Sequence, residues 1–305
     1  MTKIIHVKYS NERDDKFKIK TVIEQDDFGK RCVKKYAMTE AAKTHIVGIE
    51  KHQKLLAQNA DGTKLHFNSC TLRDNYITCE YVDGEPLSSI LLQKITKKNE
   101  QAALALLNTY CVQLQQLATV PFVVTEEFQQ VFGNADFLQE QKSCVVTDID
   151  LIFSNILVDR DRWNVIDLEW VFDFPIPVNF LLYRAIFYSG SHIQEFAERF
   201  SILKNLGIGS AEQAQFAQME KHFQNWVKGS TLSLAEMECF QKRTSIAELN
   251  NKIRELNTEI DGLKSHISSI TEERDHLRRE LTGILESKTW KYTEPVRSLK
   301  RRIRP

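Results

Sequence analysis

Three oxygen-bearing side chains, Asp150, Asn155 and Asp167, fall within one stretch, TDIDLIFSNILVDRDRWNVIDLEW, residues 147 to 170. Asn155 follows Asp150 by five residues and opens an apolar strand, Asn155–Val158. A polar turn, Asp159-Arg160-Asp161-Arg162, returns the chain to a second apolar strand, Asn164–Ile166, which ends at Asp167. A hairpin of this kind can gather the three side chains around one cleft. Their types suit phosphoryl transfer from ATP. That reaction needs a divalent metal to neutralise phosphate charge, and magnesium takes oxygen ligands, here an amide from Asn155 and a carboxylate from Asp167. It also needs a separate carboxylate to orient the attacking hydroxyl and accept its proton, which fits Asp150. Asp and Asn are common turn residues, so the Asp150–Asn155 spacing means little by itself. The hairpin and the second aspartate give it weight.

The flanking elements are read from periodicity. Ile4–Tyr9, the alternating stretch from Phe17 to Ile23, and Arg31–Tyr36 read as three strands. Thr39 suits a helix N-cap, and the helix AAKTHIVGIEKHQKLLAQ runs from there to about Asn59. Strands follow at Leu65–Thr71 and Tyr76–Tyr81. From Val82 the chain reads as mainly helical, with helices at Asn99–Ala118, Asn179–Ser189, Ile193–Leu206 and Ala211–Val227. Three strands, a helix and two strands thus precede a helical part that the hairpin interrupts.

The D-L-x-x-x-N spacing, the strand after it and V-I-D-L-E resemble the catalytic and metal-binding loops of the protein-kinase-like superfamily, of the aminoglycoside phosphotransferase and lipopolysaccharide kinase type. The segments YSNERDDKFKIKT and VIDLEWVFDFPIPVNFLLYRAI, with the tail, are similar to the kinase module of WbdD-like O-antigen chain-terminating kinases. The superfamily resemblance spans roughly residues 4 to 230 and implies an α+β, two-lobed protein-kinase-like fold with a small β-rich N-lobe and a helical C-lobe. It implies a lysine on the third strand to hold ATP, for which Lys34 is chosen over Lys35, and a helix glutamate beside it, Glu50 rather than Glu40. ITCEYVDGEPL resembles the hinge, whose backbone at Glu80 and Val82 would bind adenine. Two departures stand out. The first strand turn, SNERDDK, has no glycine, which leaves Arg13 or Ser10 as possible phosphate contacts. Ile149 stands where an H-R-D loop has arginine, and no A-P-E follows, so a non-protein substrate is favoured. Asp148 would brace the loop, and Glu169 would support the metal shell or form an ion pair.

Formal net charge is +0, which does not suit a globally basic nucleic-acid binder. No stretch reaches the roughly 20 apolar residues of a membrane span. The N-terminus has no signal-peptide run, and the six cysteines form no CxxC pair, so a cytoplasmic setting is expected.

From Ile246 to Ile284, apolar residues recur at alternating steps of three and four, interrupted by Arg274. This heptad pattern predicts self-association through a coiled coil, as dimer or trimer. The tail SKTWKYTEPVRSLKRRIRP mixes aromatics with clustered cations, which suits an anionic membrane surface or a partner protein. The expected organisation is an N-lobe over 1–82, a C-lobe over 83–235, a coiled coil over 244–286 and a basic tail over 287–305. The expected reaction transfers phosphate from ATP, with Mg2+, to a sugar hydroxyl of a surface polysaccharide or glycolipid at the inner face of the cytoplasmic membrane. Two alternatives are a pseudokinase scaffold that recruits a glycosyltransferase and a small-molecule kinase.

Overall fold

The computed structural model describes residues 2–135, 138, 141–231 and 246–303. The expected end of the C-lobe near 235, the start of the coil at 244, Cys239 and Arg304 lie outside them. The chain divides into two compact units, Met1–Leu234 and Ala235–Pro305.

The first unit opens with β1 (Lys3–Tyr9), β2 (Ile19–Gln25) and β3 (Arg31–Ala37), followed by helix α1 (Lys43–Asn59). Then come β4 (Leu65–Phe67), β5 (Cys70–Leu72) and β6 (Tyr76–Glu80). Five of these strands form an antiparallel sheet in the order β1-β2-β3-β6-β5. The alternation of β2 and β3 sends Ile19, Thr21, Ile23, Val33 and Lys35 toward one cavity, with Cys79 from β6 beside them. Helix α1 buries Ile46, Ile49 and Leu56, one apolar stripe at helical spacing, and packs against β3, β5 and β6. Each such side chain contributes about 1.5–3 kcal/mol by leaving water. The helix begins at Lys43, later than expected, because Thr39 accepts from the Ala42 N–H and holds a turn before it.

The expected strand Leu65–Thr71 is divided. Its first half, β4, leaves the sheet and pairs in parallel with a later hairpin. That hairpin consists of β11 (Ile156–Asp159) and β12 (Arg162–Val165). On the other side β11 pairs with β7 (Glu85–Pro86), just past the hinge. The hairpin therefore sits at the centre of a four-stranded sheet, β4-β12-β11-β7, with a first-lobe strand on one edge and the segment just past residue 82 on the other. Gly84 permits this approach: a Cβ there would lie 3.1 Å from the Leu157 Cβ and 3.2 Å from the Val158 carbonyl oxygen.

The rest of the unit is mainly helical: α2 (Leu87–Thr96), α3 (Glu100–Leu117), α4 (Glu126–Phe132), α5 (Val178–Phe187), α6 (Ser191–Arg199), α7 (Ile202–Asn205) and α8 (Ser210–Lys228). Short strands β8 (Val120–Pro121), β9 (Lys142–Cys144) and β14 (Ile176–Pro177) form one small sheet, while β10 (Thr147–Asp148) pairs with β13 (Val171–Phe172). Helix α3 is capped by Asn99, whose side chain accepts from the Ala102 N–H, and it buries Ala103, Leu107, Tyr110, Leu114 and Leu117 along one face. The Tyr110 hydroxyl donates to the Leu151 carbonyl at 2.6 Å, which fixes the loop after Asp150 to that helix. The single helix expected over Ile193–Leu206 is broken at Ser201, whose φ of 50° ends one helix before the next begins. The two-lobed, α+β arrangement expected from the sequence is present.

The second unit contains α9 (Ile246–Glu286), α10 (Lys288–Tyr292) and α11 (Glu294–Ile303). At ~1.5 Å per residue α9 is about 60 Å long. The Ser287 side chain accepts from the Trp290 N–H and caps α10. Along α9 the seam residues from Leu249 to Ile284 form an apolar stripe, 46–63% exposed. Among the described residues no helix is long and apolar enough to cross a membrane.

Candidate active site

Two cavities share Arg13 in their linings. The first, about 450 Å3, lies between the lobes. Ile23 and Val33 form its roof and Leu157 and Ile166 its floor, while the chain from Glu80 to Gly84 makes one wall. Glu80 and Val82 are in that wall. A flat apolar slot beside a backbone edge suits a purine base.

Lys35 closes the polar end of this cavity. Its ammonium donates to Asp167 and, at 2.6 Å, to Glu169. Lys34, the residue chosen from the sequence, lies elsewhere. It pairs with Glu24 at 2.7 Å on the opposite face of β3 and does not line the cavity. Adjacent strand residues point to opposite faces, and the inward face is the one that carries Val33 and Lys35 opposite Cys79 and Ile77 of β6. The helix glutamate is also placed differently. Glu50 makes a 3.2 Å ion pair with Lys54 one turn along α1, and Glu40 pairs with Lys43. The carboxylate beside the cleft lysine comes instead from Glu169, two residues after Asp167.

Glu169 is in turn held by Arg13, at 2.7 Å. Burial acting alone would raise the Glu169 pKa, but Lys35 and Arg13 outweigh it and hold the carboxyl well below its ordinary range. Burial would likewise lower the Lys35 pKa, and Asp167 and Glu169 overcome it, so the ammonium stays charged. Burial and the neighbouring Glu169 charge raise Asp167. Asp167 also adopts φ 64°, a left-handed conformation that costs a non-glycine residue about 1–3 kcal/mol. Strain of that kind, at the end of a strand and facing a cavity, is found where a side chain must be aimed.

Asp150 lines the second cavity, about 460 Å3, together with Trp170, Arg184, Tyr188, Phe223 and Gln224. Its carboxylate accepts from Arg184 at 2.7 Å, and the Arg184 Nε donates to the Ile149 carbonyl at 2.9 Å. Arg184 is 2% exposed and also pairs with Glu220. It braces Asp150 from α5, 34 residues further along the chain. A lone cation inside the apolar run FLLYRAIF was the available signal for it, since a buried charge requires partners. Asp148, fully buried, accepts from the Asp150 N–H at 2.9 Å and so braces the loop. Burial raises its own pKa well above the ordinary carboxylate range. Burial also pushes Asp150 up, to about 6, against the opposing effect of Arg184.

Asn155 joins the two halves of the site. Its side-chain amide donates to the Asp150 carbonyl at 3.1 Å, and its carbonyl accepts from Ile166, next to Asp167, at 2.9 Å. The amide Oδ1 has only a long, 3.5 Å contact with the Ser154 hydroxyl. Among the described residues no group of three or more His, Cys, Asp or Glu side chains could hold a metal alone. A magnesium ion carried on a nucleotide needs only one or two protein oxygens, its remaining ligands being phosphates and water. Asn155 and Asp167 are hard oxygen donors of that type. Ser10, one of two residues considered for phosphate contact, is committed to the fold: its buried hydroxyl accepts from the Ile19 N–H at 2.8 Å and donates to the Ile19 carbonyl at 3.1 Å.

No protein-family model matches the chain, and no curated protein matches it. Among solved structures, it is similar to the ADP-bound aminoglycoside phosphotransferase APH(2'')-Ib, at 13% identity and a TM-score of 0.41 over 83% of this chain and 92% of that one. It is similar to macrolide 2'-phosphotransferase MphH from Brachybacterium faecium, at 13% identity and 0.38 over 76% and 90%. The amicoumacin kinase hAmiN, in complex with AMP-PNP, Ca2+ and amicoumacin, gives 12% identity and 0.40 over 77% and 86%.

Proposed function

We propose that this protein is a phosphotransferase that moves the γ-phosphoryl group of Mg-ATP to a sugar hydroxyl. The carrying observation is the division of labour between two touching cavities. Lys35 and Asp167 sit in an apolar, hinge-walled slot, and Asp150 sits in its neighbour. Lys35 would pair phosphate oxygens, and Asn155 with Asp167 would hold the magnesium, which supplies positive charge for the phosphates. Asp150, oriented by Arg184, would accept the hydroxyl proton. The second cavity supports a saccharide as acceptor. The exposed ring of Tyr188 offers apolar surface to sugar C–H groups, while Gln224, Asn225 and Asp150 offer partners to its hydroxyls. A surface polysaccharide or its lipid-linked precursor, phosphorylated in the cytoplasm, is the acceptor proposed. The test is transfer of labelled γ-phosphate to isolated cell-surface glycans, with a thermal shift under Mg-ATP alongside. A shift at millimolar nucleotide and a labelled glycan are expected. No shift would point instead to a scaffold role, and labelling of aminoglycosides alone would point to a small-molecule acceptor.

The second unit is proposed as an oligomeric stalk. Its uncovered seam loses about 25 cal/mol per Å2 of stabilisation for as long as it faces water, and a second or third copy of the same helix covers it with matching heptads. The tail that follows carries Tyr292, Val296 and Leu299 exposed, and Arg297 lies 3.6 Å over the Trp290 ring. We assign it to an anionic membrane surface, with a glycosyltransferase as the other candidate partner. Light scattering should report a dimer or trimer that Leu256→Asp with Ile260→Asp converts to monomer. A chain truncated after 286 should stay oligomeric yet no longer sediment with phosphatidylglycerol vesicles. A monomeric parent chain would end the stalk assignment, and unchanged sedimentation of the truncated chain would end the membrane assignment.

A further inference from the structure

We infer that Arg13 is a catalytic residue of this site: its guanidinium stands where the two cavities meet and contacts the phosphoryl group in transit. The inference rests on the phosphotransferase reading. Arg13 is the charged side chain common to the linings of both cavities. Its Nη1 donates to Glu169 at 2.7 Å, and its Cζ lies 5.1 Å from the centre of the Trp170 ring. Among the described residues its guanidinium makes no other hydrogen bond, so the remaining donors of the planar fork are available to phosphate oxygens.

The loop that carries Arg13 is held unusually firmly for the position. It follows β1, where a nucleotide-covering loop would be glycine-rich and mobile. Here the Asp14 N–H donates to the Val227 carbonyl at 2.8 Å, and the Thr231 hydroxyl donates to the Arg13 carbonyl at 3.1 Å. Both partners lie at or just past the end of α8, in the opposite lobe. Gly229 makes room for the crossing. It has φ 55°, and a Cβ there would collide with the Asp14 carboxylate. Both tethers fall on the peptide group that joins Arg13 to Asp14, and with the ion pair to Glu169 they place the cation before substrate arrives. A preorganised donor of this kind loses little entropy at the moment of reaction.

In the transfer, the bond from phosphorus to the β,γ-bridging oxygen breaks and ADP leaves. A bond from phosphorus to the acceptor oxygen forms, and the acceptor proton passes to Asp150. Charge on the three equatorial oxygens lies between the cavities at that point, facing Arg13. An arginine in that role contributes roughly 10³–10⁵-fold in some phosphoryl-transfer systems, and a single lost donor in a preorganised site costs about 10²–10³-fold.

The test uses the full chain and Mg-ATP, with water as acceptor, so no glycan need be known. Arg13→Ala is expected to lower the hydrolytic kcat by about 10²–10³-fold, and Arg13→Lys to recover part of it. By calorimetry Arg13→Ala should bind Mg-ADP as tightly as the parent. It should lose the added affinity the parent shows for Mg-ADP with aluminium fluoride, which mimics the phosphoryl group in flight. Added guanidinium ion should restore turnover to the alanine variant. A purely structural Arg13 would instead weaken Mg-ADP binding and aluminium fluoride binding in parallel, with no rescue, and that result overturns the assignment. So does an alanine variant with parental turnover in a parent that is active. A parent chain that neither binds nor hydrolyses Mg-ATP overturns the phosphotransferase reading itself, and this inference with it.

Discussion

Lys35→Met removes phosphotransfer, lowering kcat/KM at least about 100-fold, whereas Lys34→Met leaves it within about twofold. The two lysines are neighbours in sequence and differ only in the face of β3 from which they project. Lys35 is buried at the cleft between Asp167 and Glu169, and Lys34 pairs with Glu24 outside it. Deleting the Lys35 ammonium also takes one of two counterions from the buried Glu169 and leaves the more exposed Asp167 without its cation, which lowers stability as well as activity. Melting curves therefore accompany the kinetics, and rates are taken where each variant is folded. Lys35→Arg separates charge from geometry. It keeps the cation near Glu169 and should fold, yet it places a planar fork where a point charge is needed and should stay well below parental activity. An inactive Lys34 variant beside an active Lys35 variant would return the ATP lysine to the other face of the strand.

Asp150→Asn is expected to lower transfer by about 10²–10⁴-fold with the fold intact. The amide oxygen can still accept from Arg184, so the bracing of the loop survives while the proton acceptor is lost. The pH profile gives an independent signature. Burial pushes the Asp150 carboxyl up to about 6, and only its ionised form can take a proton from the acceptor hydroxyl. Activity should accordingly be flat above that value and fall tenfold per pH unit as pH drops below it. The asparagine variant should lack this limb. Undiminished transfer by the variant would withdraw Asp150 from the base role, and an acid limb retained in its residual activity would assign the titration to another group.

The catalytic segment was legible because its information is local. Asn155 is tied to the Asp150 carbonyl and to Ile166, beside Asp167, whereas Asp150 and Asp167 line different cavities and not the one cleft expected; the hairpin between them pairs as alternating apolar residues around a polar turn predict. The order of elements in the first lobe and the helix α1 were legible for the same reason. Lys34 was chosen over Lys35, which faces the cavity, because a seven-residue strand with cations on both faces does not state which face is inward. That choice depends on the partner strand, where Ile77 and Cys79 are buried. Glu50 had the expected spacing on α1, but Glu169 reached the lysine first through the compact turn after β12. The division of Leu65–Thr71 between two sheets was likewise invisible, since both halves carry strand-like residues and only the hairpin's free edge claims the first.

By itself, then, the sequence specified the residue types for phosphoryl transfer, the loop and hairpin that hold them, and a heptad helix with a basic tail. Those are properties of neighbours along the chain, fixed by periods of 2 and 3.6 residues. Tertiary structure alone decided which lysine faces the cleft, that Arg184 braces Asp150 from a distant helix, and that Arg13 stands between two cavities. Each of these is a buried charge meeting its partner across many residues of chain, and burial in a low-dielectric interior is what makes such pairings obligatory.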